Sequence, residues 1–450
     1  MSRRPGIDDL SGRHVVIWGM GSHGGGVSSA RYCHEAGARV TILERRCPRN
    51  MVPAASVAAR YGWPWHLGNT AHPVLKRADL IVASPAITPA TIAGLDRDHA
   101  PLISSEALFA AHHRGRRLLV TGTKGKSTTA NACGLLLDWP VGGNSHRPLL
   151  DLLREHGPQV DVVCELSSFQ LWHLDSQAMA CEAAIVTNLD VDHLDWHPDL
   201  EHYHHAKRSI FAAAECRIHH RDLDHGLADM SCPLPRRRIH YDDASNAFVD
   251  DQGEILGPRQ LLPLPGRHNA DNIALALTAA IHLGVDPAMA MLRISGISPL
   301  PHRLQTCHEA GPLRFINDSV ATNPTATKAA LLAVDGPMAI ILGGADKGHD
   351  YTELAAAVAA RKAQPICLGS TAELIATALE GHGLQAPVVD CLETACRLAV
   401  AYLGDEGGCV LLSPACASTD QFHDFADRGN RFTAIARQMT GCQQLGVCKG

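Results

Sequence analysis

A lysine and several hydroxyl side chains follow a glycine-rich turn near residue 120, and their spacing suits phosphate binding. The apolar residues 118–120 lead into T-G-T-K-G-K-S-T at residues 121–128, and a helix is expected from Ser127 onward. Glycines let backbone N–H groups approach phosphate oxygens, Lys126 can reach terminal phosphates, and the Ser127 hydroxyl can ligate Mg²⁺. The turn is a shortened form of G-x-x-x-x-G-K-[ST], because Val120 replaces the first glycine.

Two further strand ends carry groups that bind divalent cations. The apolar run 162–164 places Glu165 at the carboxyl end of a strand, next to the turn if the two strands are neighbours. The strand at residues 184–186 is followed by a loop with three carboxylates around His193. Carboxylate oxygen and imidazole nitrogen are suitable ligands for a divalent ion. For Glu165, a solvated carboxylate is the alternative.

Residues 200–214 are predicted to form a helix with several histidines and one lysine. Lys207 is the only lysine between Lys126 and Lys328, although a single helix lysine is usually a surface charge. A zinc site at His202, His204 and His205 is disfavoured, because adjacent histidines on a helix diverge and H-E-x-x-H is absent.

Asparagines begin another predicted helix near residue 270. Asn269 and Asn272 share one helix face, so their amides could read a base edge or simply cap the helix.

The first part of the chain has the pattern of a Rossmann-like unit. A strand at residues 14–18 precedes G-x-G-x-x-G at residues 19–24, and a second strand ends in Glu44, where a dinucleotide ribose would lie. Ser84 and Pro85 follow another buried strand at the same predicted sheet edge. A Rossmann-like unit that binds no dinucleotide is the alternative.

The last part of the chain alternates strands and helices in a similar way. Strands are predicted at residues 313–316, 339–342, 365–368 and 409–412, and polar loops follow three of them. These loops carry Asp318, Thr322, Lys347 and Ser418, a set that favours a small anionic ligand.

These patterns predict an α/β protein with three domains. We place an N-terminal Rossmann-like domain at residues 1–114, a central P-loop ATPase domain with a parallel sheet at 115–302, and a C-terminal Rossmann-like domain at 303–450. A formal net charge of −6 argues against a general nucleic-acid or anionic-membrane surface. No run approaches the roughly 18 apolar residues of a membrane span, and the 15 cysteines include no C-x-x-C pair. We expect a cytoplasmic protein with reduced thiols.

Eight motifs occur in the order found in the Mur ligase family, which the chain resembles over nearly its whole length and least at residues 216–262. They are T-G-T-K-G-K-S-T-T, E-L-S-S-F-Q-L, D-H-L-D, L-P-G-R-H-N, P-H-R, N-D-S-x-A-T-N, L-G-G-x-D-K and L-L-S-P-A-C-A-S-x-D-Q-F. The resemblance implies that the first domain holds the UDP end of a substrate, the central domain binds ATP, and the third domain admits an amino acid.

The resemblance also implies roles for individual residues. Ser127 and Glu165 look like ligands of one Mg²⁺, while His193 and an N-carboxylated Lys207 look like ligands of a second. Catalytic roles fall to Lys126, His193 and Lys207. Implied ATP-binding residues are Gly122, Thr123, Lys124, Gly125, Lys126, Ser127, Thr128, Asn269, Asn272, Arg303 and Asp318. Implied substrate-binding residues are Gly19, Ser22, Ser84, Pro85 and Asn144 for the sugar nucleotide, and Thr322, Lys347, Ser418 and Phe425 for glutamate.

Within the family, the motifs are most similar to those of the ligase that adds glutamate to UDP-N-acetylmuramoyl-L-alanine during peptidoglycan precursor synthesis. The implied reaction passes through an acyl phosphate and gives ADP and phosphate, with small molecules as the only partners of a monomer. Two positions depart from the family: Val320 replaces a lysine, and Lys124 replaces an asparagine. A branch of the family attaches L-glutamate, and the missing lysine leads us to favour that enantiomer over D-glutamate.

Three other functions remain open at this point. A folylpolyglutamate-type ligase is the nearest alternative enzyme. A nicotinamide-dependent oxidoreductase would explain residues 19–44 but would leave Lys126, Glu165 and His193 without a role. A non-catalytic ATP-driven switch would need the phosphate loop but no glutamate site.

Overall fold

The computed structural model describes residues 9–21, 24–70, 72–95, 99–174, 179–194, 196–228, 230–264, 266–298, 301–346 and 348–444. Packing divides the chain into two compact units, Met1–Ile297 and Ser298–Gly450. The domain boundaries predicted at residues 114 and 302 stay predictions.

The first unit begins with a parallel sheet in the strand order β3-β2-β1-β4-β5, which is the Rossmann strand order without its sixth strand. Its apolar strands are buried on both faces by helices, as parallel sheets require. The strands are β1 (His14–Trp18), β2 (Arg39–Glu44), β3 (Trp65–Leu67), β4 (Leu80–Ala83) and β5 (Leu102–Ser104). The helices are α1 (Gly25–Glu35), α2 (Val52–Tyr61), α3 (Val74–Arg77), α4 (Pro89–Ala93) and α5 (Ser105–His112).

A second parallel sheet follows in the order β10-β9-β6-β8-β7. The central strand β6 pairs with β8 on one side and β9 on the other, so the loops that follow all three strands open at one sheet edge. The strands are β6 (Arg117–Thr121), β7 (Val141–Gly143), β8 (Val162–Glu165), β9 (Ala183–Val186) and β10 (Arg217–His219). The helices are α6 (Lys126–Leu137), α7 (Leu149–His156), α8 (Ser168–Leu174), α9 (Leu200–Arg208), α10 (Arg267–His282) and α11 (Pro287–Arg293).

The helix predicted over residues 200–214 is shorter in the structure. Helix α9 ends at Arg208 and a 3₁₀ turn continues to Phe211. The Ser209 hydroxyl donates a hydrogen bond to the Ala206 carbonyl at 2.9 Å, and such local side-chain bonds compete with regular helix.

Part of the segment 216–262 forms a small antiparallel sheet in the order β11-β12-β13. A tight turn at residues 250–253 connects the second and third of its strands. Its strands are β11 (Ile239–Asp242), β12 (Ala247–Asp250) and β13 (Ile255–Pro258).

The second unit contains a sheet in the order β14-β15-β19-β16-β17-β18, parallel except for the edge strand β14. All four predicted strands are present, whereas the edge strands β14 and β18 were not predicted. The strands are β14 (Gln305–Ala310), β15 (Leu313–Asn317), β16 (Met338–Leu342), β17 (Gln364–Leu368), β18 (Val388–Val389) and β19 (Gly408–Leu412). The helices are α12 (Pro324–Ala333), α13 (Thr352–Arg361), α14 (Ala372–Glu380), α15 (Leu392–Leu403) and α16 (Phe425–Gln444).

The three-domain α/β fold predicted from the sequence is therefore present, with each large sheet carrying its polar loops at strand ends. In the ranges given above, no helix is both long enough and apolar enough to cross a membrane.

Candidate active site

The turn between β6 and α6 is shaped by two glycines that cannot be replaced. Gly122 and Gly125 have φ angles of 149° and 81°, which favour glycine. A Cβ at Gly122 would collide with the Thr187 hydroxyl, and one at Gly125 would collide with the Asn272 amide. The turn is thus closely packed between the loop after β9 and the start of α10.

Hydrogen bonds fasten this turn to the loop after β9. The backbone N–H of Thr123 donates to the Asn188 carbonyl at 3.0 Å, and that of Lys124 donates to Asn188 Oδ1 at 2.9 Å. The Asn188 amide returns a bond to the Lys124 carbonyl at 2.9 Å, and the Thr187 hydroxyl donates to the same oxygen. Hydrogen bonds within the protein therefore hold the turn in this shape.

Two lysines converge on the Gly122 carbonyl oxygen. Lys126 Nζ donates to it at 2.9 Å and Lys207 Nζ at 2.7 Å. Lys207 is 1% exposed and lies over the Tyr203 ring, so the usual surface interpretation of a helix lysine is wrong here. Burial, with a smaller contribution from Lys126, holds the pKa of Lys207 well below its usual range. Two lysine side chains therefore meet on one carbonyl oxygen of the phosphate turn.

Glu165 is fully buried at the end of β8, paired in register with Val120. The Asn144 amide donates to Oε1 at 2.9 Å, and His146 Nε2 lies 2.9 Å from Oε2. Burial alone would raise the pKa, but His146, Asn144 and Lys126 together lower the pKa of Glu165 to about 2. The carboxylate is therefore ionised beside the phosphate turn, as the sequence predicted for neighbouring strands.

His193 lies near Tyr203, an aromatic residue that contacts the phosphate turn and that the sequence analysis missed. Its ring lies 6.2 Å from that of Tyr203 and 4.8 Å from that of Phe169, measured between centroids. The Tyr203 hydroxyl donates to Thr123 Oγ1 at 3.0 Å, and the ring also lies under Lys207. Tyr203 and Lys207 are four residues apart on α9, which is the one signal in the sequence that could have linked them.

Glu165 and its surroundings are suited to a divalent cation, although few protein side chains are available as ligands. Among the residues that the structure describes, no group of three or more His, Cys, Asp or Glu side chains could hold a metal by itself. Glu165 is nevertheless ionised, and its Oε2 accepts no well-aligned hydrogen bond. Mg²⁺ is typically held by one or two carboxylates together with substrate phosphates and water, so a sparse protein ligand set fits this ion.

The residues predicted to bind adenosine are divided between the two units. Asn269 and Asn272 both lie on α10, and Asn272 packs against the phosphate turn at Gly125. In the second unit Arg303 is exposed. Asp318 is buried and accepts hydrogen bonds from the Ser413 hydroxyl at 2.7 Å and the Leu304 N–H at 3.1 Å.

The residues predicted to bind glutamate lie on loops that follow strands of the second unit. Ser418 is buried after β19, Thr322 is half-buried after β15, and Phe425 begins α16. Lys347 lies outside the described residues, so its prediction has no structural counterpart.

A buried arginine that the sequence analysis missed joins these loops. Arg428 donates to the Ser319 hydroxyl at 3.0 Å and carbonyl at 2.9 Å, and to the carbonyls of Cys416 and Ala417, each at 3.1 Å. The Ser319 hydroxyl in turn donates to the Phe425 carbonyl at 2.8 Å. Burial lowers the pKa of Arg428 to about 10, which leaves the side chain charged at neutral pH.

In the N-terminal sheet, the glycine-rich turn contacts one of the predicted substrate residues. A Cβ at Gly19 would lie 3.0 Å from that of Ser84, and Pro85 is half-buried beside it. Glu44 accepts hydrogen bonds from the Met20 N–H at 2.8 Å and from Arg46. The Glu44 carboxylate therefore accepts hydrogen bonds from the protein itself instead of being free for a ribose, which argues against dinucleotide binding. The predicted residue Ser22 lies outside the described ranges.

Two family models match the chain: "Mur ligase middle domain" over residues 120–280 and "Mur ligase, glutamate ligase domain" over residues 302–416. The chain is 33% identical over 451 residues to the UDP-N-acetylmuramoylalanine--D-glutamate ligase of Methylobacillus flagellatus, covering 94% of this chain and 96% of that protein. It is 32% identical over 467 residues to the UDP-N-acetylmuramoyl-L-alanine--L-glutamate ligase of Salinispora tropica, covering 97% and 100%.

Among solved structures, the fold is similar to that of the MurF ligase from Thermotoga maritima in complex with ADP. The TM-score is 0.54 at 16% identity, with 98% of this chain and 100% of that chain covered. At this identity the likeness concerns the fold alone.

Proposed function

The chain belongs to the Mur ligase family, and from that premise we propose that it joins glutamate to UDP-N-acetylmuramoyl-L-alanine at the expense of ATP. The observation that carries the proposal is the convergence of Lys126 and Lys207 on the Gly122 carbonyl, with the ionised Glu165 on the adjacent strand. This arrangement can hold a triphosphate and a divalent cation together. The relative solved with ADP supports the choice of nucleotide.

The proposed chemistry begins with the substrate carboxylate, which does not acylate an amine in water. Transfer of the terminal phosphoryl group of ATP gives an acyl phosphate; the glutamate amine then attacks the acyl carbon, and phosphate leaves. Backbone N–H groups of the turn orient the phosphates, and Lys126 neutralises charge that develops on the transferred group. A divalent cation, when bound, would screen the phosphate charge and polarise its oxygens.

We propose that Ser127 and Glu165 hold one Mg²⁺, and that His193 and an N-carboxylated Lys207 hold a second. Burial and the neighbouring Lys126 lower the pKa of Lys207, which favours the uncharged amine, and the uncharged amine is the form that adds to CO₂. The Nζ–C bond forms as one C–O π bond of CO₂ opens and the nitrogen releases a proton to solvent, so that the side chain ends in a carboxylate. Hard divalent ions prefer such oxygen ligands.

The remaining predicted site residues enter the proposal with the roles that the family resemblance implies. The sugar nucleotide would contact Gly19, Ser22, Ser84, Pro85 and Asn144. The nucleotide would contact residues 122–128, Asn269, Asn272, Arg303 and Asp318, and glutamate would contact Thr322, Lys347, Ser418 and Phe425. The reaction would take place in the cytoplasm, with the protein acting as a monomer.

D-glutamate is the first candidate substrate, because the relative from Methylobacillus flagellatus is named for that enantiomer. L-glutamate, favoured above from the sequence, is the second candidate for two reasons. Val320 removes a cation from the N-D-S-x-A-T-N loop, and the relative from Salinispora tropica is named for L-glutamate.

The test is a ligation assay with UDP-N-acetylmuramoyl-L-alanine, ATP, Mg²⁺ and each enantiomer separately, followed by mass spectrometry of the product. We expect ADP release that requires both the nucleotide-linked acid and glutamate, with one enantiomer strongly preferred. Phosphate release independent of an amino acid would contradict the proposal and favour an ATP-driven switch. Glutamylation of a folate instead of the UDP-sugar would favour the folylpolyglutamate-type reaction.

A further inference from the structure

Helix α8 carries a buried histidine that contacts a loop of the N-terminal sheet. His173 is 8% exposed, and its Nε2 lies 3.1 Å from the carbonyl oxygen of Ile87. Ile87 belongs to the loop that follows β4, which also contains Ser84 and Pro85. Two residues that were predicted to contact the sugar nucleotide therefore lie within three positions of the carbonyl that His173 faces.

The partners of this imidazole determine which nitrogen carries the proton. A carbonyl oxygen only accepts hydrogen bonds, so Nε2 is the donor. The carbonyls of Ile87 and Pro85 favour the protonated ring, but burial outweighs them and lowers the pKa of His173 to about 4. The ring is therefore uncharged at neutral pH, and its one N–H is directed at the loop. The Trp172 ring packs edge-on against the imidazole, with 4.9 Å between the centroids.

The loop after β4 gains a donor from outside itself through this contact. Within the loop, the Ile87 N–H donates to the Ser84 carbonyl at 2.9 Å, whereas Pro85 has no N–H to contribute. One side of the loop packs on the glycine-rich turn, since a Cβ at Gly19 would lie 3.0 Å from that of Ser84. The hydrogen bond from His173 holds the loop from a different element.

Helix α8 is itself attached to the strand that leads into the phosphate turn. The Leu166 N–H donates to the Val120 carbonyl at 2.8 Å, and the Thr121 hydroxyl donates to the Leu166 carbonyl at 2.7 Å. Within the helix, the Gln170 amide donates to Oε1 of the buried Glu106 at 2.8 Å. Because Glu106 lies in the first turn of α5, the helix has a second contact with the N-terminal part of the chain. It is thus a firm base for the imidazole.

We propose that His173 is a positioning residue for the nucleotide-linked acid, and that its Nε2–H holds the 84–87 loop in the shape that binds this substrate. The inference rests on the proposed function, because it concerns a substrate of that reaction. His173 acts through Ser84 and Pro85 and not by contact with the reacting atoms. Loss of its N–H should weaken binding equally in the ground state and the transition state, which raises KM and leaves kcat unchanged.

The test compares His173→Leu with His173→Gln in the full chain. Leucine fills similar space but removes the donor, whereas the glutamine amide can place a donor near the position of Nε2. In steady-state ligation, His173→Leu should raise the KM for UDP-N-acetylmuramoyl-L-alanine about fivefold, the effect of one hydrogen bond. The kcat and the KM for ATP should stay close to the wild-type values, and His173→Gln should restore the raised KM.

His112→Leu is the matched control. The His112 imidazole is also half-buried and faces a backbone carbonyl, that of Leu108 at 3.0 Å, but this contact lies within α5. We expect no change in the KM for the nucleotide-linked acid in this variant. Titration calorimetry with the same acid, in the absence of ATP, should give the same order of affinities without turnover.

Three results would overturn the proposal: an unchanged KM in His173→Leu, an equal rise in His112→Leu, or a lower kcat with a normal KM. A KM in His173→Gln as high as in His173→Leu would also contradict it. If His173→Leu does not fold, His173→Asn decides, because the shorter side chain withdraws the donor from Ile87. Wild-type affinity in that variant would refute the inference.

Calorimetry and ligation together separate this inference from the proposed function. A wild type that binds the nucleotide-linked acid but does not ligate it, with weaker binding in His173→Leu, refutes only the glutamate-ligase proposal. Ligation with equal affinities in the wild type and His173→Leu refutes only the role of His173.

Discussion

Glu165 and Asp318 are both buried carboxyl groups at the ends of parallel strands, yet their pKa values move in opposite directions. Burial raises the pKa of Asp318 to about 6, since hydrogen bonds from the Ser413 hydroxyl and the Leu304 N–H, with a smaller influence of Arg303, lower the pKa too little to offset it. At Glu165 the same burial is outweighed by His146, Asn144 and Lys126, and the pKa falls to about 2.

The opposite pKa shifts distinguish two kinds of region: the charged site at the phosphate turn, and the junction of loops around Asp318 and Arg428, where hydrogen bonds connect the loops. Around the phosphate turn, charged groups are crowded together: two lysines donate to the same carbonyl, and one oxygen of a buried carboxylate lacks an aligned donor. In the second unit, Asp318 and Arg428 are buried with hydrogen-bond partners throughout. We therefore expect substitutions at the turn to affect chemistry, and substitutions at the junction to affect stability.

Lys126→Ala should give the largest effect and should act on rate alone. Losing one preorganised charge donor costs on the order of 3 kcal/mol of transition-state stabilisation, or roughly a hundredfold in kcat. The measurement is steady-state ligation together with a thermal melt that stays close to that of the wild type. Lys328→Ala is the matched control, since Lys328 pairs with Glu353 at an exposed site. Normal turnover by Lys126→Ala would remove the turn from the mechanism.

Arg428→Met should show the opposite pattern, with a loss of stability. The methionine keeps part of the apolar stem but leaves the carbonyls of Cys416, Ala417 and Ser319 without these donors. Unsatisfied buried acceptors should lower the free energy of unfolding by about 2 to 3 kcal/mol, measured by urea denaturation. Arg431→Met on the same helix removes an exposed ion pair with Asp427 and a cation–π contact with Phe422, and should cost about 1 kcal/mol at most. Equal losses in the two variants would contradict the role of Arg428.

The contrast between the two carboxyls should also appear in the pH dependence of stability. The pKa of Asp318 is raised from 3.8 to about 6, so the folded chain holds this proton more tightly than the unfolded chain. Its contribution to stability is largest below pH 4, declines as the pH rises through 6, and is constant above that.

Asp318→Asn should remove this decline, which we expect to be roughly 1 to 2 kcal/mol after relaxation of the site. Denaturation curves at several values between pH 4 and pH 7 provide the measurement. An unchanged decline in the variant would assign the effect to another group.

Whether a contact of the site could be predicted from the sequence depends on how far apart its two residues lie along the chain and on whether strand order brings them together. Glu165 and the phosphate turn were predicted together, because each ends an apolar strand and β6 and β8 are neighbours. Arg428 was missed because its partner Ser319 lies 109 residues away and no local pattern distinguishes it from a surface arginine. His146 was missed for a similar reason, since only the pairing of β7 with β8 brings it to Glu165.

Tyr203→Phe should give the smallest effect of these variants. It alters a contact of the phosphate turn without changing a charge, so it tests whether an uncharged residue there affects chemistry or stability. The variant keeps the ring that lies beside His193 and under Lys207 but loses the hydrogen bond to Thr123 Oγ1. One such bond is worth about 1 kcal/mol, so ligation should slow by roughly fivefold. If the hydroxyl orients the turn, the KM for ATP should rise while the thermal melt stays unchanged. A lower melting temperature with normal kinetics would instead place Tyr203 with the structural residues, alongside Arg428.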